Sequence, residues 1–285
     1  RLGEVISYWD FTYSSISMEP RYFYDPAHFR NSVGEMMLAR IYGDSGVYIP
    51  DDFGVYVEQG TLRTYDQITE IAETKAYTAQ VPVLLFHHFA DKGEGSSIIS
   101  EKKMIELLTY LKESGYTTVD FYDLQDYVLR GVDLPEKPIM LTVDDGYQSS
   151  YDFLFPLLKK MNMKATVFVI GHSIGADTYK NTGIKINRHF SIEEAREMLE
   201  SGNIQIGSHS FDMHQSQELE KNPETLRESM LNNGRLSENE YIQLVKNDLQ
   251  KFNEIYKDIS PDAVEILSYP LGKYDQFLTA LLHES

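Results

Sequence analysis

From about residue 81 onward the chain alternates short apolar runs with helical stretches, and this alternation limits the fold more than any other feature. "VPVLLFHHF" (81–89) has the length and β-branching of a buried strand. "TTVDF" (117–121), "KPIMLTV" (137–143), "ATVFVIG" (165–171), "IQIGSH" (204–209) and "AVEILSYP" (263–270) read as five more. The segments between them have helical character. Met104, Leu107, Leu108 and Leu111 form one stripe in a helix over 100–116. A short helix is expected over 123–131, and a longer one over 150–162 with a kink near Pro156. Ser191 with Glu194, and Ser237 with Glu240, have the spacing of capping boxes that start helices over 191–202 and 237–257. A last helix is expected over 273–285. Strands that are apolar on both faces and alternate with helices specify a parallel α/β fold. Six strands are fewer than a closed barrel usually has, and none follows the last helix. Either the barrel is incomplete within this chain, or further strands come from elsewhere.

Residues 1–78 have a different texture, aromatic and rich in turns. A helix is expected over 27–43, two short strands over 46–60 and a connection over 70–80. The expected organisation is a small accessory region (1–78) followed by the main domain (79–285).

The composition removes several function classes. An apolar fraction of 42% and a charged fraction of 25% are ordinary for a soluble globular protein. The net charge of −18 argues against nucleic acid as the main partner, because binding phosphates needs a basic surface. The chain has no cysteine, so disulfides and thiolate metal sites are excluded and any metal must be held by His, Asp or Glu. No apolar stretch is long enough to span a membrane. A chain that starts at Arg1 reads as a mature or excised form, and its lack of cysteine fits either redox compartment, a bacterial cell-surface protein included.

Three unusual stretches fall at the C-terminal ends of expected strands, the functional face of parallel α/β folds. Asp144-Asp145-Gly146 follows the third strand. Asp-Gly is a common turn dipeptide. Two adjacent carboxylates at the end of a buried strand also permit a division of labour, one holding a cation and the other free as a base. "SHSFDMH" brings His209 and His214, whose i, i+5 spacing would set them about 140° apart on a helix, so they must converge from a loop. Asp145, His209 and His214 would then form a two-histidine carboxylate site with open positions for water and substrate, suited to zinc, cobalt, nickel or manganese. "SYPLG" (268–272) offers a backbone N–H near Tyr269 to a developing oxyanion.

In order, "TVDDGY", "SHSFDMH" and "SYPLGKYD" resemble the three leading motifs of the polysaccharide deacetylases of carbohydrate esterase family four, and "VPVLLFHHF" resembles their first barrel strand. The resemblance covers roughly residues 81–285. It implies a distorted (β/α) barrel and a metal-dependent hydrolase that removes N-acetyl groups from an N-acetylglucosamine-containing polysaccharide. It makes Asp144 the general base, and Asp145, His209 and His214 the ligands of a divalent ion, most often zinc. The Tyr269 N–H joins the oxyanion hole, and His87 and Pro270 lie against substrate. The implied partner is an acetylated cell-wall or biofilm glycan outside the cytoplasm. The i, i+5 histidines, and Ser268 in place of an arginine, resemble the branch acting on poly-N-acetylglucosamine. The usual late histidine, a general acid, has no counterpart after Gly272; His283 comes too soon, and His87 is preferred over His88, His172 and His189. The alternative is a catalytically degenerate carbohydrate-binding protein on the same fold. A two-acid glycosidase fits poorly, since its acids must flank the scissile bond.

Overall fold

The computed structural model describes residues 80–93, 97–127, 131–180, 182–262 and 266–283, together with five short strands nearer the N-terminus. The chain divides into two compact units, 1–78 with 275–279, and 79–274 with 280–285. In the first unit, β1 (Tyr8–Asp10), β4 (Val55–Glu58) and β5 (Thr61–Leu62) form an antiparallel sheet, and β2 (Phe23–Asp25) pairs with β3 (His28–Phe29). β4 matches the second strand expected over 46–60; residues 46–50 lie outside the described residues. The helix expected from residue 27 is corrected at its start, because His28 and Phe29 are strand. Cross-strand pairing with Phe23 and Asp25 outweighs the local helical spacing there.

The second unit is built on five parallel strands: β6 (Val83–Phe86), β9 (Thr117–Val119), β10 (Pro138–Val143), β11 (Ala165–Val169) and β12 (Ile204–Ser208). β10 is the hub. Its residues 138–140 pair with β9, 140–143 with β6, and 142–143 with β11, which in turn pairs with β12. Every residue of β10, β11 and β12 is buried, as strands covered on both faces require. β6 departs from that reading: it alternates, with Val83 and Leu85 more than half exposed.

Two expected strands are corrected. The run 81–89 breaks at His87, after which β7 (His88–Ala90) pairs in parallel with β8 (Ile98–Ser100) instead of continuing beside β10. The run 263–270 contributes one bridge, Leu267 to Ser208, fixed by Ser208 N–H to Ile266 O and Ser268 N–H to Ser208 O, both 2.9 Å. Pro270 then begins a tight turn through Gly272, where its fixed φ and missing N–H end the extended run. Among the described residues the sheet runs open from β6 to that bridge.

The helices follow the expected signals. α1 (Glu101–Glu113) is capped by Ser100 and buries Met104, Leu108 and Leu111. α2 (Phe121–Gln125) starts two residues before the expected position because Asp120 and Asp123 cap it reciprocally. Residues Ser150–Leu154 form a wider π turn that passes into α3 (Phe155–Met161), with Pro156 in the first turn of α3, where a missing N–H is tolerated. α4 (Ile192–Glu200) has the Ser191–Glu194 capping box. At the start of α5 (Glu238–Tyr256) the Glu240 carboxylate accepts from the Ser237 N–H (2.9 Å) and hydroxyl (2.6 Å). α6 (Gln276–His283) is the last described element. Strand register brings the chain segments after β6, β10, β11 and β12 to the same edge of the sheet.

Candidate metal centre

The β10 ladder runs one residue past its last strand residue, through the Asp144 N–H to Phe86 O at 2.9 Å. The chain then turns sharply, with Asp145 at φ 74° and Gly146 at φ 79°. Left-handed backbone costs an ordinary residue about 1–2 kcal/mol, which the surrounding ladder must offset at Asp145. Gly146 is required twice, by its φ and because a Cβ there would lie 2.9 Å from Val169 Cγ1. The turn keeps both carboxylates at the strand end, 6% and 7% exposed.

His209 follows β12 in the same way, its N–H donating to Val169 O at 2.9 Å. Its Nδ1 lies 2.8 Å from the Ser268 carbonyl. A carbonyl only accepts, so Nδ1 carries the proton and Nε2 keeps its lone pair. That nitrogen stands 3.7 Å from Asp144 Oδ2 and 3.8 Å from Asp145 Oδ1. The loop after His209 returns His214, with Nε2 3.5 Å from Asp145 Oδ1 and its ring edge-on to His209 at 4.9 Å. The histidines therefore converge from a loop. Ligand atoms of Asp145, His209 and His214 all lie within 4.8 Å of one another.

The electrostatics of this group call for a cation. Burial, and then the neighbouring His214, hold the His209 pKa down at about 4, so its ring is neutral. Its contacts with the carboxylates are thus lone pair against lone pair, not ion pairs. Asp144 Oδ1, Asp145 Oδ1 and His214 Nδ1 are buried without a hydrogen-bond partner. Burial, and then the charge of Asp145, push Asp144 up to about 7, against a hydrogen bond from Ser268 Oγ at 3.4 Å that lowers it. Two adjacent buried carboxylates, one short of protons and donors, form a site that a divalent ion would satisfy.

The other residues singled out in the sequence are distributed around this group. His87 joins β6 to β7, half-buried, and is near enough to His209 to help lower the pKa of that ring. Tyr269 is extended and its ring stacks on Tyr274 at 5.1 Å. Pro270 is buried at the start of its turn, and Leu271 follows at φ 59°. Ser268 bonds Asp144 through its hydroxyl and His209 through its carbonyl. His88 is bound instead to Ser149 Oγ at 2.8 Å, and His172 braces the loop through Phe211 O at 3.1 Å. A cleft of about 530 Å³ opens beside His214, lined by residues 214–218 with Glu228 and Leu271.

Sequence reasoning missed two neighbours. Tyr147 lies with its ring between His88 (5.1 Å) and the buried His189 (4.9 Å), and burial and then Asp145 raise its pKa. Asp248, in the middle of α5, reaches the loop between the two histidines. A lone acid at an apolar-stripe position was the only signal for it.

A family model described as polysaccharide deacetylase matches residues 131–284, more than half of the chain. The Bacillus subtilis (strain 168) protein YxkH is 29% identical over 199 residues, covering 70% of this chain and 59% of that protein. The poly-beta-1,6-N-acetyl-D-glucosamine N-deacetylase of Escherichia coli K12 is 28% identical over 138 residues, covering 45% of this chain and 20% of the enzyme. The chain thus spans about three-fifths of the first relative and a fifth of the second. Among solved structures, a de-N-acetylase from Aggregatibacter actinomycetemcomitans superposes with a TM-score of 0.61 at 23% identity, covering 72% of this chain and 84% of that one. IcaB from Ammonifex degensii gives 0.58 at 23% identity, covering 72% and 81%. These likenesses show a shared α/β fold. With the family model matched over more than half its length, this chain belongs to the polysaccharide deacetylase family.

Proposed function

We propose that this chain is a metal-dependent hydrolase that removes N-acetyl groups from an N-acetylglucosamine-containing polysaccharide, with residues 79–285 as its deacetylase domain. The observation that carries the reading is the gathering of Asp145, His209 and His214 beside Asp144, with orphaned buried carboxylate oxygens among them. One carboxylate and two imidazoles suit zinc, and also cobalt, nickel or manganese. A divalent ion bound there supplies Lewis acidity, lowering the pKa of a water and favouring negative charge on an acyl oxygen.

The chain's own residues do the rest. Asp144 takes the proton as water adds to the acetamide carbon, the work of a positioned carboxylate base. Ser268 orients it through the hydroxyl that stands where an arginine is common. The Tyr269 N–H donates to the oxyanion, and His87 gives a proton to the leaving amine. Pro270 shapes the wall of the substrate position. The cleft beside His214 offers Gln215, Ser216, Gln217 and Glu228 to the hydroxyls of a sugar chain. Acetate and a free amine result. The N-deacetylase names of relatives support a biofilm or cell-wall glycan as substrate, and so an extracytoplasmic site of action. No described helix is long and apolar enough to cross a membrane.

Acetate release from poly-β-1,6-N-acetylglucosamine and from a chito-oligosaccharide, with chelator and then with zinc restored, tests this. Zinc-dependent release is expected. Retention of the glycan without release would favour the binding-protein alternative, and neither would remove the reading.

A further inference from the structure

We infer that Asp248, at mid-length in α5, is a positioning residue of the metal centre; this rests on the metal-binding reading of Asp145, His209 and His214. The hydrogen bonds of Asp248 go to the backbone between the two histidines, not to those three side chains. Its two carboxylate oxygens accept the backbone N–H groups of Phe211 (2.7 Å) and Asp212 (2.8 Å), in the middle of the loop that separates the histidines.

That loop has no helix or strand of its own, so its backbone groups must find partners one by one. Ser210 stands at φ 68°, and a left-handed residue turns successive N–H groups toward one side, making a concavity for an anion. Asp248 fills it, only 6% exposed. On the opposite side the Ser210 and Phe211 carbonyls accept from Gly171 N–H and His172 N–H, both at 3.0 Å. The Met213 N–H closes the loop onto Ser210 Oγ at 3.0 Å. The loop is therefore gripped between the segment after β11 and the buried carboxylate of α5. Both bonds of Asp248 fall midway between the two histidines, so releasing them frees the arc that sets the distance from His214 Nε2 to Asp145 Oδ1. Burying a carboxylate is costly, and a purely structural contact between helix and loop could use a neutral acceptor. A charged acceptor makes shorter and stronger bonds to two N–H groups at once, which holds a ligand-bearing loop in one geometry.

The test uses the full chain with zinc as the probe, its affinity measured by calorimetry against a competing chelator. Asp248→Asn keeps the shape but sets an amide N–H₂ against one of the two loop N–H groups. Asp248→Ala removes both acceptors. Val245→Ala, at a fully buried position one turn earlier on α5, controls for loss of stability alone. Both Asp248 variants, checked as folded by circular dichroism and cooperative unfolding, should bind zinc about 10–100-fold more weakly, the usual effect of disturbing the groups that orient metal ligands. Val245→Ala should lower the melting temperature and leave zinc affinity within about twofold. Zinc affinity in a folded Asp248→Asn equal to that of the parent overturns the inference while leaving the metal centre standing. A parent chain that binds no zinc removes the metal reading itself, and this inference with it. Should both variants fail to fold, amide hydrogen exchange in the metal-free parent decides. Protection at Phe211 and Asp212 that tracks the start of β11 supports the clamp, and exchange at the rate of an exposed loop overturns it.

Discussion

Metal-free Asp144→Asn should be more stable than the parent, and increasingly so as pH rises to about 7. In the folded protein Asp144 titrates near 7 because it is buried beside Asp145, against an ordinary carboxyl value of 3.8 in the unfolded chain. Between those two values the native state holds a proton that the unfolded state has released. Stability therefore falls as pH rises through this window and levels off above about 7. Three pKa units at about 1.4 kcal/mol each set an upper bound of about 4 kcal/mol on the cost of ionising Asp144. The isoelectric point of 4.8 makes work below about pH 5.5 impractical, and from there to pH 8 the difference amounts to about 2 kcal/mol. Asparagine carries no charge and brings an N–H₂ donor toward an acceptor-rich site. Urea denaturation in the presence of chelator, at pH 5.5 and pH 8, should show the parent losing about 2 kcal/mol more than the variant over that interval. Zinc should flatten the parent's pH dependence, because the ion favours the ionised carboxylate. Parallel pH profiles for parent and variant would refute the claim that Asp144 is destabilised by burial and by its neighbour.

With zinc bound, the same Asp144→Asn should keep metal and substrate affinity while turnover in the acetate assay drops by roughly 10²–10⁴-fold, the range for removing a general base. Asp145→Ala should lose metal instead, seen as reduced zinc content by mass spectrometry, with partial recovery of activity at excess zinc; if the two variants exchange these behaviours, the roles are reversed. Gly146→Ala combines a left-handed φ of 79° with a 2.9 Å approach to Val169 Cγ1, and should cost about 1–3 kcal/mol by denaturation. Measured against Val169→Ala alone, the same glycine substitution should cost less, about 1 kcal/mol, because the approach to Cγ1 is gone while the left-handed φ and a 3.2 Å approach to Cβ remain.

Local signals in the sequence determined most of the elements. Ser191 with Glu194, and Ser237 with Glu240, mark helix starts because the bonds they make span three residues and need no distant partner. The near-continuous apolar runs of β10 and β11, each interrupted by a single threonine, announce strands buried on both faces. Asp144, Asp145, His209 and His214 were legible because ordered motifs put chemistry-bearing residues at strand ends. Tertiary structure decided where partners compete. The run 81–89 breaks at His87 because β8 offers a second ladder, and 263–270 shrinks to a bridge at Leu267 because Pro270 ends it. Only the folded chain shows that the Ser268 carbonyl fixes the His209 tautomer, that burial drives Asp144 toward 7, and that Asp248 reaches back from α5 to the loop carrying His214. The Ser268–His209 bond joins residues 59 apart and the Asp248 bonds join residues 36 and 37 apart, while the burial of Asp144 is the work of the whole fold; contacts of these kinds leave no period or spacing in the chain to read.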